Sequence, residues 1–217
     1  MKVKLISYTR DQEAPEKNIQ DIVAYCARVS NPSNQNMTDT NERLIKYLMK
    51  HEHWSPFEMV NICLEIETTR DIARQILRHR SFSFQEFSQR YAVADLGFEQ
   101  KEARLQDSKN RQNSIEIDAE NQIHEEWKVQ QELVSSIATT AYHWAIEKGI
   151  AKEQARAVLP EGMTVSRLYM NGTLRSWIHY LKVRTGVETQ KEHRDVAIAC
   201  LNEISEIFPL IKEIISC

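Results

Sequence analysis

Between Arg78 and Tyr91 the chain crowds together Arg78, Arg80 and Arg90, the imidazole of His79, the acid Glu86, the amides Gln85 and Gln89, the hydroxyls Ser81, Ser83 and Ser88, and the rings of Phe82, Phe84 and Phe87. That mixture suits an anionic, flat ligand. Arginine forks grip phosphate through paired hydrogen bonds, serine hydroxyls fill remaining acceptor positions, and a planar ring rests on an aromatic or guanidinium face. Taken alone, Arg78-His79-Arg80 reads as a solvated basic face or a nucleic-acid patch. Its upstream flank points further. Thr69–Leu77 has helical spacing, opened by Thr68 or Thr69, with Ile72, Ile76 and Leu77 inward and Arg70, Arg74 and Arg78 recurring every fourth residue along one face. Like charges so spaced repel by roughly 0.2–0.5 kcal/mol per pair. Only Asp71 lies close in sequence to offset them, so an external anion is the expected partner. On a continuous helix Arg78 and Arg80 point to nearly opposite sides and serve different groups.

A second cluster lies in the C-terminal third. Thr173–Val183 has the spacing of a helix with Leu174, Trp177, Ile178 and Leu181 inward; Arg175 and His179 share its other face, and Arg184 follows at its end. The elements that carry these clusters are legible by period. Residues 3–8 suggest a short strand. Asn18–Val29 is helical, with Ile19, Ile22, Val23 and Cys26 on one side, and a polar loop from Ser30 to Thr38 follows. The next helix, Asp39–Lys50, buries Leu44, Ile45, Leu48 and Met49 and is broken by the segment His51–Glu58, where Pro56 forbids continuation. Val60, Ile62, Leu64 and Ile66 alternate with Asn61, Cys63, Glu65 and Glu67, the pattern of a strand buried on one face, and it feeds directly into the arginine helix. Glu99–Ser114 is polar and reads as an exposed excursion. Asp118–Lys148 reads as one long helix with Ile123, Trp127, Leu133 or Val134, Ile137, Ala141 and Trp144 toward the core and Gly149 as its stop. Ala151–Val158 is a short helix carrying Arg156 and ended by Pro160, Met163–Met170 a strand, and the last helix is interrupted at Pro209.

Strands and helices in mixed order, with no βαβ rhythm, predict an α+β fold: a central mixed or antiparallel sheet flanked by helices. At 217 residues, with no Pro/Gly/Ser-rich linker, residues 1–217 read as a single domain. The net charge of −3 argues against general nucleic-acid binding, so local basicity favours a small anion. The N-terminus lacks the apolar stretch of a signal peptide and no window approaches a membrane span, which predicts a cytoplasmic protein without membrane attachment.

Other chemistries find less support. His51 and His53 lack the helical His-Glu-x-x-His spacing and an evident third ligand, so no metal is expected. Only five glycines occur and none cluster, so a nucleotide-like ligand is held outside a Rossmann frame. Cys26, Cys63, Cys200 and Cys217 show no Cys-x-x-Cys spacing and read as buried thiols in a reducing compartment rather than nucleophiles. Ser88 lacks the glycines of a nucleophile elbow and is assigned to binding.

Arg78-His79-Arg80 followed by Ser88 and Arg90 resembles the signature of the flavin-dependent thymidylate synthases, the ThyX family. The resemblance continues in His53, Ser55, Pro56, Phe57 and Glu58, which match a His-x-Thr/Ser-Pro-Phe-Glu segment. Ala155-Arg156-Ala157-Val158-Leu159-Pro160 matches Ala-Arg-x-x-Leu-Pro, and Arg175, Arg184, Gln190 and Glu192 follow the family's late helix, terminal arginine and Gln-x-Glu. These ordered matches span nearly the whole chain.

The resemblance implies an FAD-dependent methylation of dUMP to dTMP, with 5,10-methylenetetrahydrofolate and NADPH as co-substrates, in a homotetramer whose active sites are shared between chains. It places dUMP on Gln75, Arg78, Glu86, Ser88, Arg90, Arg156 and Arg184, and FAD on Ser55, Arg78, His79, Arg80, Glu86, Thr173, Arg175 and His179, with His53 on the folate side. Arg184 is the residue implied beside the uracil, where a cation favours the N3-deprotonated base and raises electron density at C5. The chain departs from the family where His179 replaces a frequent asparagine and Thr173-Leu174-Arg175 replaces Asn-x-Arg; both departures bear on the flavin contacts and leave the nucleotide set intact. Two alternatives remain: a uridylate C5 one-carbon transferase that accepts UMP or leaves a hydroxymethyl group, and a nucleic-acid module using the arginines with Phe82, Phe84 and Phe87 as stacking platforms.

Overall fold

Side-chain alternation sets the central strand. In the computed structural model, which describes residues 1–216, β2 (Asn61–Thr69) buries Ile62, Leu64, Ile66 and Thr68 and leaves Asn61, Cys63, Glu65 and Glu67 more exposed. With β1 (Lys2–Tyr8), β3 (Ser83–Glu86) and β6 (Val165–Thr173) it forms a four-stranded sheet in the order β1-β2-β6-β3. Arg167 pairs with Glu67 at 3.1 Å and the Tyr169 hydroxyl donates to Glu65 at 2.7 Å. One strand's numbers rise as the other's fall, the register of antiparallel neighbours. The architecture is α+β, as the element order predicts. The chain groups into two units, one made of Met1, Glu67–Arg78 and Glu86–Leu168, the other of Lys2–Ile66, His79–Gln85 and the segment from Tyr169 onward.

The second unit holds Ile62, Leu64 and Ile66, most of the buried face of β2. Helix α6 (Leu174–Arg184) starts at Thr173, whose hydroxyl accepts from Ser176 N at 3.3 Å, and buries Leu174, Trp177, Ile178 and Leu181 as its spacing predicts. Trp177 also donates its ring N–H to Ile62 O at 3.0 Å. Helix α1 (Ile19–Ala27) opens with a reciprocal capping box between Asn18 and Asp21, and α2 (Asn41–Lys50) buries Ile45 and Leu48. The last helix is split around Pro209 into α7 (Lys191–Ile207) and α8 (Ile211–Ser216). A Cβ at Gly172 would come within 2.4 Å of Phe82, so glycine here lets the Phe82 ring close onto the sheet.

In the first unit α3 (Arg70–Ile76) follows β2 without a loop, and Leu77 caps it. The Arg78-His79-Arg80 run therefore lies beyond the helix, which corrects the expectation of a continuous helix presenting Arg78 and Arg80 on opposite sides. The polar excursion is exposed and folds into an antiparallel ribbon of β4 (Arg104–Gln106) and β5 (Ser114–Glu116) that polarity alone does not reveal. The long helix α4 (Ile123–Glu147) is present and followed by Gly149, at φ 75°, but its inward face is misread by apolar spacing. Ile123, Trp127, Leu133, Val134, Ile137 and Trp144 are all exposed, Ile137 by 69 %, whereas Gln131, Ala138, Tyr142 and Ala145 are buried. The reason is polar anchoring along the adjacent stripe: Gln131 exchanges hydrogen bonds with the Lys101 backbone at 2.7 and 2.9 Å, and the Tyr142 hydroxyl accepts from Ala94 N at 2.9 Å. The short helix α5 (Lys152–Ala155) runs into a 3-10 turn, Arg156–Val158. Among the described residues no helix is long and apolar enough to cross a membrane.

Candidate active site

Within the first unit the arginine helix meets acids from distant sequence. Glu86 accepts from Arg74 at 3.2 Å, Ser166 at 2.9 Å and Arg70 at 3.5 Å, and Arg74 also reaches Glu161 at 3.1 Å. This corrects the expectation that Arg70 and Arg74 await an external anion: β3 and the segment before β6 bring carboxylates that local sequence does not contain. Arg70 is buried, and desolvation lowers its pKa against the opposing field of Glu86. Glu86, placed by resemblance on both ligands, thus spends its oxygens on the chain's own side chains.

In the same unit Gln75, Arg78, Ser88, Arg90 and Arg156 stand exposed or half-exposed. Arg90 pairs with Glu153 at 3.1 Å, and Arg156 donates to the Glu153 carbonyl at 3.3 Å, so two predicted residues converge on one that sequence reasoning missed. Ser88 Oγ accepts from Arg90 N at 3.4 Å, tying the serine to the arginine's own backbone. Gln75 lies on the last turn of α3, where its carbonyl accepts from Arg78 N at 3.3 Å. Arg78 is exposed and makes no ion pair among the described residues. Arg70, Arg74, Arg78, Arg90 and Arg156 against Glu86, Glu153 and Glu161 leave a positive surplus suited to a phosphate.

The second unit gathers most of the residues placed on the flavin. A cleft of about 680 Å³ is lined by Thr173, Arg175, His179 and Lys182 on one side and Trp54, Glu58 and Ser81 on another. Arg175 is held by Glu58, and Ser176 donates its hydroxyl to Ser81 O at 3.3 Å, so α6, the Pro56 turn and the segment after His79 are cross-linked at the cleft. Ser55 opens the 3-10 turn Ser55–Met59, and His53 follows a tight helix end: Glu52 N donates to Met49 O at 3.2 Å and His53 N to Leu48 O at 2.8 Å. That 6→1, 5→2 pattern is ordinarily closed by glycine, but Glu52 occupies it at φ 56°. Exposed His53 and His51 flank Tyr47, with ring centroids 6.0 and 4.3 Å from it.

Beside this cleft's residues Arg184 donates from Nε to His79 Nε2 at 2.9 Å. An imidazole that accepts is neutral, and its surroundings keep it so: burial, then the Arg184 cation and the neighbouring His179, press the His79 pKa down to about 4. Arg184's two terminal nitrogens make no hydrogen bond among the described residues, leaving the planar fork available. Arg80 is exposed without an ion pair among them. Behind His79 lie Tyr180 and His193, both fully buried, which sequence reasoning assigned to no site. Polar residues on the inward stripes of two helices were the signal available.

The described cysteines offer no nucleophile here. Cys26 and Cys63 are half-buried, Cys200 is buried, and desolvation raises all three thiols; Cys217 lies outside the described residues.

The donor set of the cleft, with guanidinium, ammonium and imidazole beside hydroxyls and the Trp54 ring, fits a large anionic ring-bearing cofactor, and its volume is within the usual range for such sites. Residues 4–210 match the family described as thymidylate synthase complementing protein. The chain is 46% identical over 211 residues to a probable flavin-dependent thymidylate synthase of Paramecium bursaria Chlorella virus 1, and 47% identical over 214 residues to the flavin-dependent thymidylate synthase of a Synechocystis strain, covering 97% of each. Its fold superposes with a TM-score of 0.84 and 26% identity on a UMP/dUMP methylase, PolB, from Streptomyces cacaoi bound with 5-Br dUMP, over 99% of this chain and 93% of that one.

Proposed function

The chain belongs to the thymidylate synthase complementing protein family, the flavin-dependent thymidylate synthases, and on that premise we propose that it methylates C5 of dUMP to give dTMP, with FAD as its flavin and 5,10-methylenetetrahydrofolate and NADPH as co-substrates. The observation that carries the reading is the Arg184–His79 hydrogen bond, which fixes one edge of a guanidinium and leaves the other for a ligand.

In this reading Thr173, Arg175, His179, Ser55, His79 and Arg80 hold the flavin, joined by Arg78, while His53 lies on the folate side. When bound, the reduced flavin supplies the hydride and the route for the one-carbon unit, so the protein needs no cysteine attack at C6. The chain's own work is positional and electrostatic. Arg78, Arg90 and Arg156 with Ser88 and Gln75 bind the nucleotide's anionic end, and Glu86 pairs with Arg70 and Arg74. The fork of Arg184 faces the uracil edge and stabilises negative charge at N3, enriching C5 in electron density. Neutral His79 holds that fork without adding a competing cation.

The exposed stripe Trp127, Leu133, Val134, Ile137 and Trp144 of α4 supports self-association, since an apolar helix face of this length ordinarily finds a cover, and the homotetramer with shared active sites is the assembly the family resemblance implies. Absence of a membrane-length helix among the described residues is consistent with a cytoplasmic location.

A second reading has one observation in its favour: the solved neighbour is a methylase of both UMP and dUMP. Product analysis with each nucleotide decides. A flavin spectrum in the purified protein and dTMP from dUMP support the proposal; methylated or hydroxymethylated UMP as the main product would replace it.

A further inference from the structure

Tyr180 and His193 are each 0 % exposed, in a core otherwise built from Trp177, Leu181, Val196, Ala197 and Cys200. The Tyr180 hydroxyl and His193 Nε2 are 3.2 Å apart, so each satisfies the other where no water reaches. Stability alone does not call for them. An intramolecular hydrogen bond contributes about 0.5–1.5 kcal/mol net, and replacing both partners with apolar groups of like shape is close to neutral. What the pair does possess is a position. The Tyr180 ring stands edge-on to His79, centroids 4.9 Å apart at 84°, and is braced by Trp177 at 5.8 Å and Phe82 at 6.0 Å. The His193 ring lies 6.3 Å from that of His79. His79 in turn accepts from Arg184.

We propose that His193 is a positioning residue for Arg184: by anchoring the Tyr180 hydroxyl it fixes the aromatic wall that holds His79 with Nε2 toward the Arg184 Nε–H, and so orients the free edge of the guanidinium. The inference rests on the reading of Arg184 as a nucleotide-binding arginine. It assigns work to a residue on α7, an element with no predicted ligand contact. Mobility of the Tyr180 ring would be passed to His79 through their shared edge, and a displacement of a few tenths of an ångström at Nε2 weakens a hydrogen bond whose strength depends on distance and angle.

The test uses the full-length flavoprotein with dUMP as probe. His193→Phe keeps a ring and removes the anchor; His193→Gln restores a polar partner; Tyr180→Phe combined with His193→Phe removes both halves of the pair. Nitrogen NMR of labelled histidines reports which His79 nitrogen carries the proton and whether the other is hydrogen-bonded. The expected result is that His193→Phe weakens the His79 signature of the Arg184 bond and lowers dUMP affinity about ten-fold, a loss of the size of one hydrogen bond. Flavin reduction by NADPH, which does not engage the Arg184 fork, changes by a smaller factor than dUMP affinity. His193→Gln recovers most of the affinity, and the double variant recovers thermal stability without recovering affinity. Should His193→Phe not fold, Tyr180→Phe alone carries the same expectation. Affinity that returns together with stability in the double variant would overturn the proposal, reducing the pair to packing. A His79 signal that shifts while dUMP affinity is indifferent both to His193→Phe and to Arg184→Lys would overturn instead the nucleotide role of Arg184 on which the proposal stands.

Discussion

The Nε of Arg184 and the Nε2 of His79 are joined at 2.9 Å across 105 residues of sequence, binding the end of α6 to the Arg-His-Arg run. One guanidinium edge is thereby committed to the protein and the other is left for a ligand. A lysine cannot divide itself this way, because its ammonium is a single point of charge.

Arg184→Lys is therefore expected to fold and retain flavin, to bind dUMP more weakly, and to slow methylation by a larger factor than it slows flavin reduction by NADPH. Stopped-flow measurement of the two half-reactions checks this. Equal slowing of both, or of neither, removes Arg184 from activation of the base.

Acid should loosen the same contact. Burial comes first among the causes that hold His79 near about 4 and His193 near about 3, with the Arg184 cation next for both. In the unfolded chain each titrates near 6.5, so below that pH the unfolded state takes up protons the folded state refuses. The folded state is thus fully favoured above about pH 6.5 and loses stability as pH falls toward 4. Denaturant titrations at pH 7.5 and 5 should show a smaller acid penalty in the Tyr180→Phe/His193→Phe double variant than in the parent. An equal penalty would mean that His193 titrates normally in the fold.

How much of this was legible depended on where each residue's partners lie. β2, α6 and the caps at Asn18 and Thr173 follow from local rules, and residues within a few positions supply what those rules need. Arg70 and Arg74 could not be read correctly because their acids, Glu86 and Glu161, are 12 or more residues away. The apolar stripe of α4 was visible, but an apolar stripe records only that something covers it. Gln131 and Tyr142, polar residues on the neighbouring stripe, hold the helix to its own chain. His193 escaped notice because a lone histidine on an inward stripe has no meaning until Tyr180 stands beside it.

Glu86→Gln is expected to act first on folding. Glu86 joins Arg70 and Arg74 and receives the Ser166 hydroxyl while only 16 % of its side chain is exposed, so loss of its charge should destabilise the protein by about 1–3 kcal/mol. Urea denaturation measures this. Unchanged stability with dUMP or flavin binding abolished would make Glu86 a ligand contact instead.

Substituting charge into the exposed stripe of α4 tests its use as an interface. Leu133→Glu combined with Ile137→Arg should lower the mass seen by analytical ultracentrifugation and reduce turnover while leaving helix content intact, since both side chains are half or more exposed in the single chain. A wild-type protein that sediments as a monomer, or variants that keep the wild-type mass, would leave the stripe without that role.

A single turnover under anaerobic conditions tests the central claim most directly. Protein whose bound flavin has been reduced and separated from excess NADPH is mixed with dUMP and 5,10-methylenetetrahydrofolate, and nucleotide, folate and flavin are measured together. If the flavin supplies the hydride, each dTMP formed is matched by one flavin oxidised, and the folate leaves as tetrahydrofolate because it gives up only its one-carbon unit. Formation of dTMP with dihydrofolate while the flavin stays reduced, or no dTMP at all, would contradict the account.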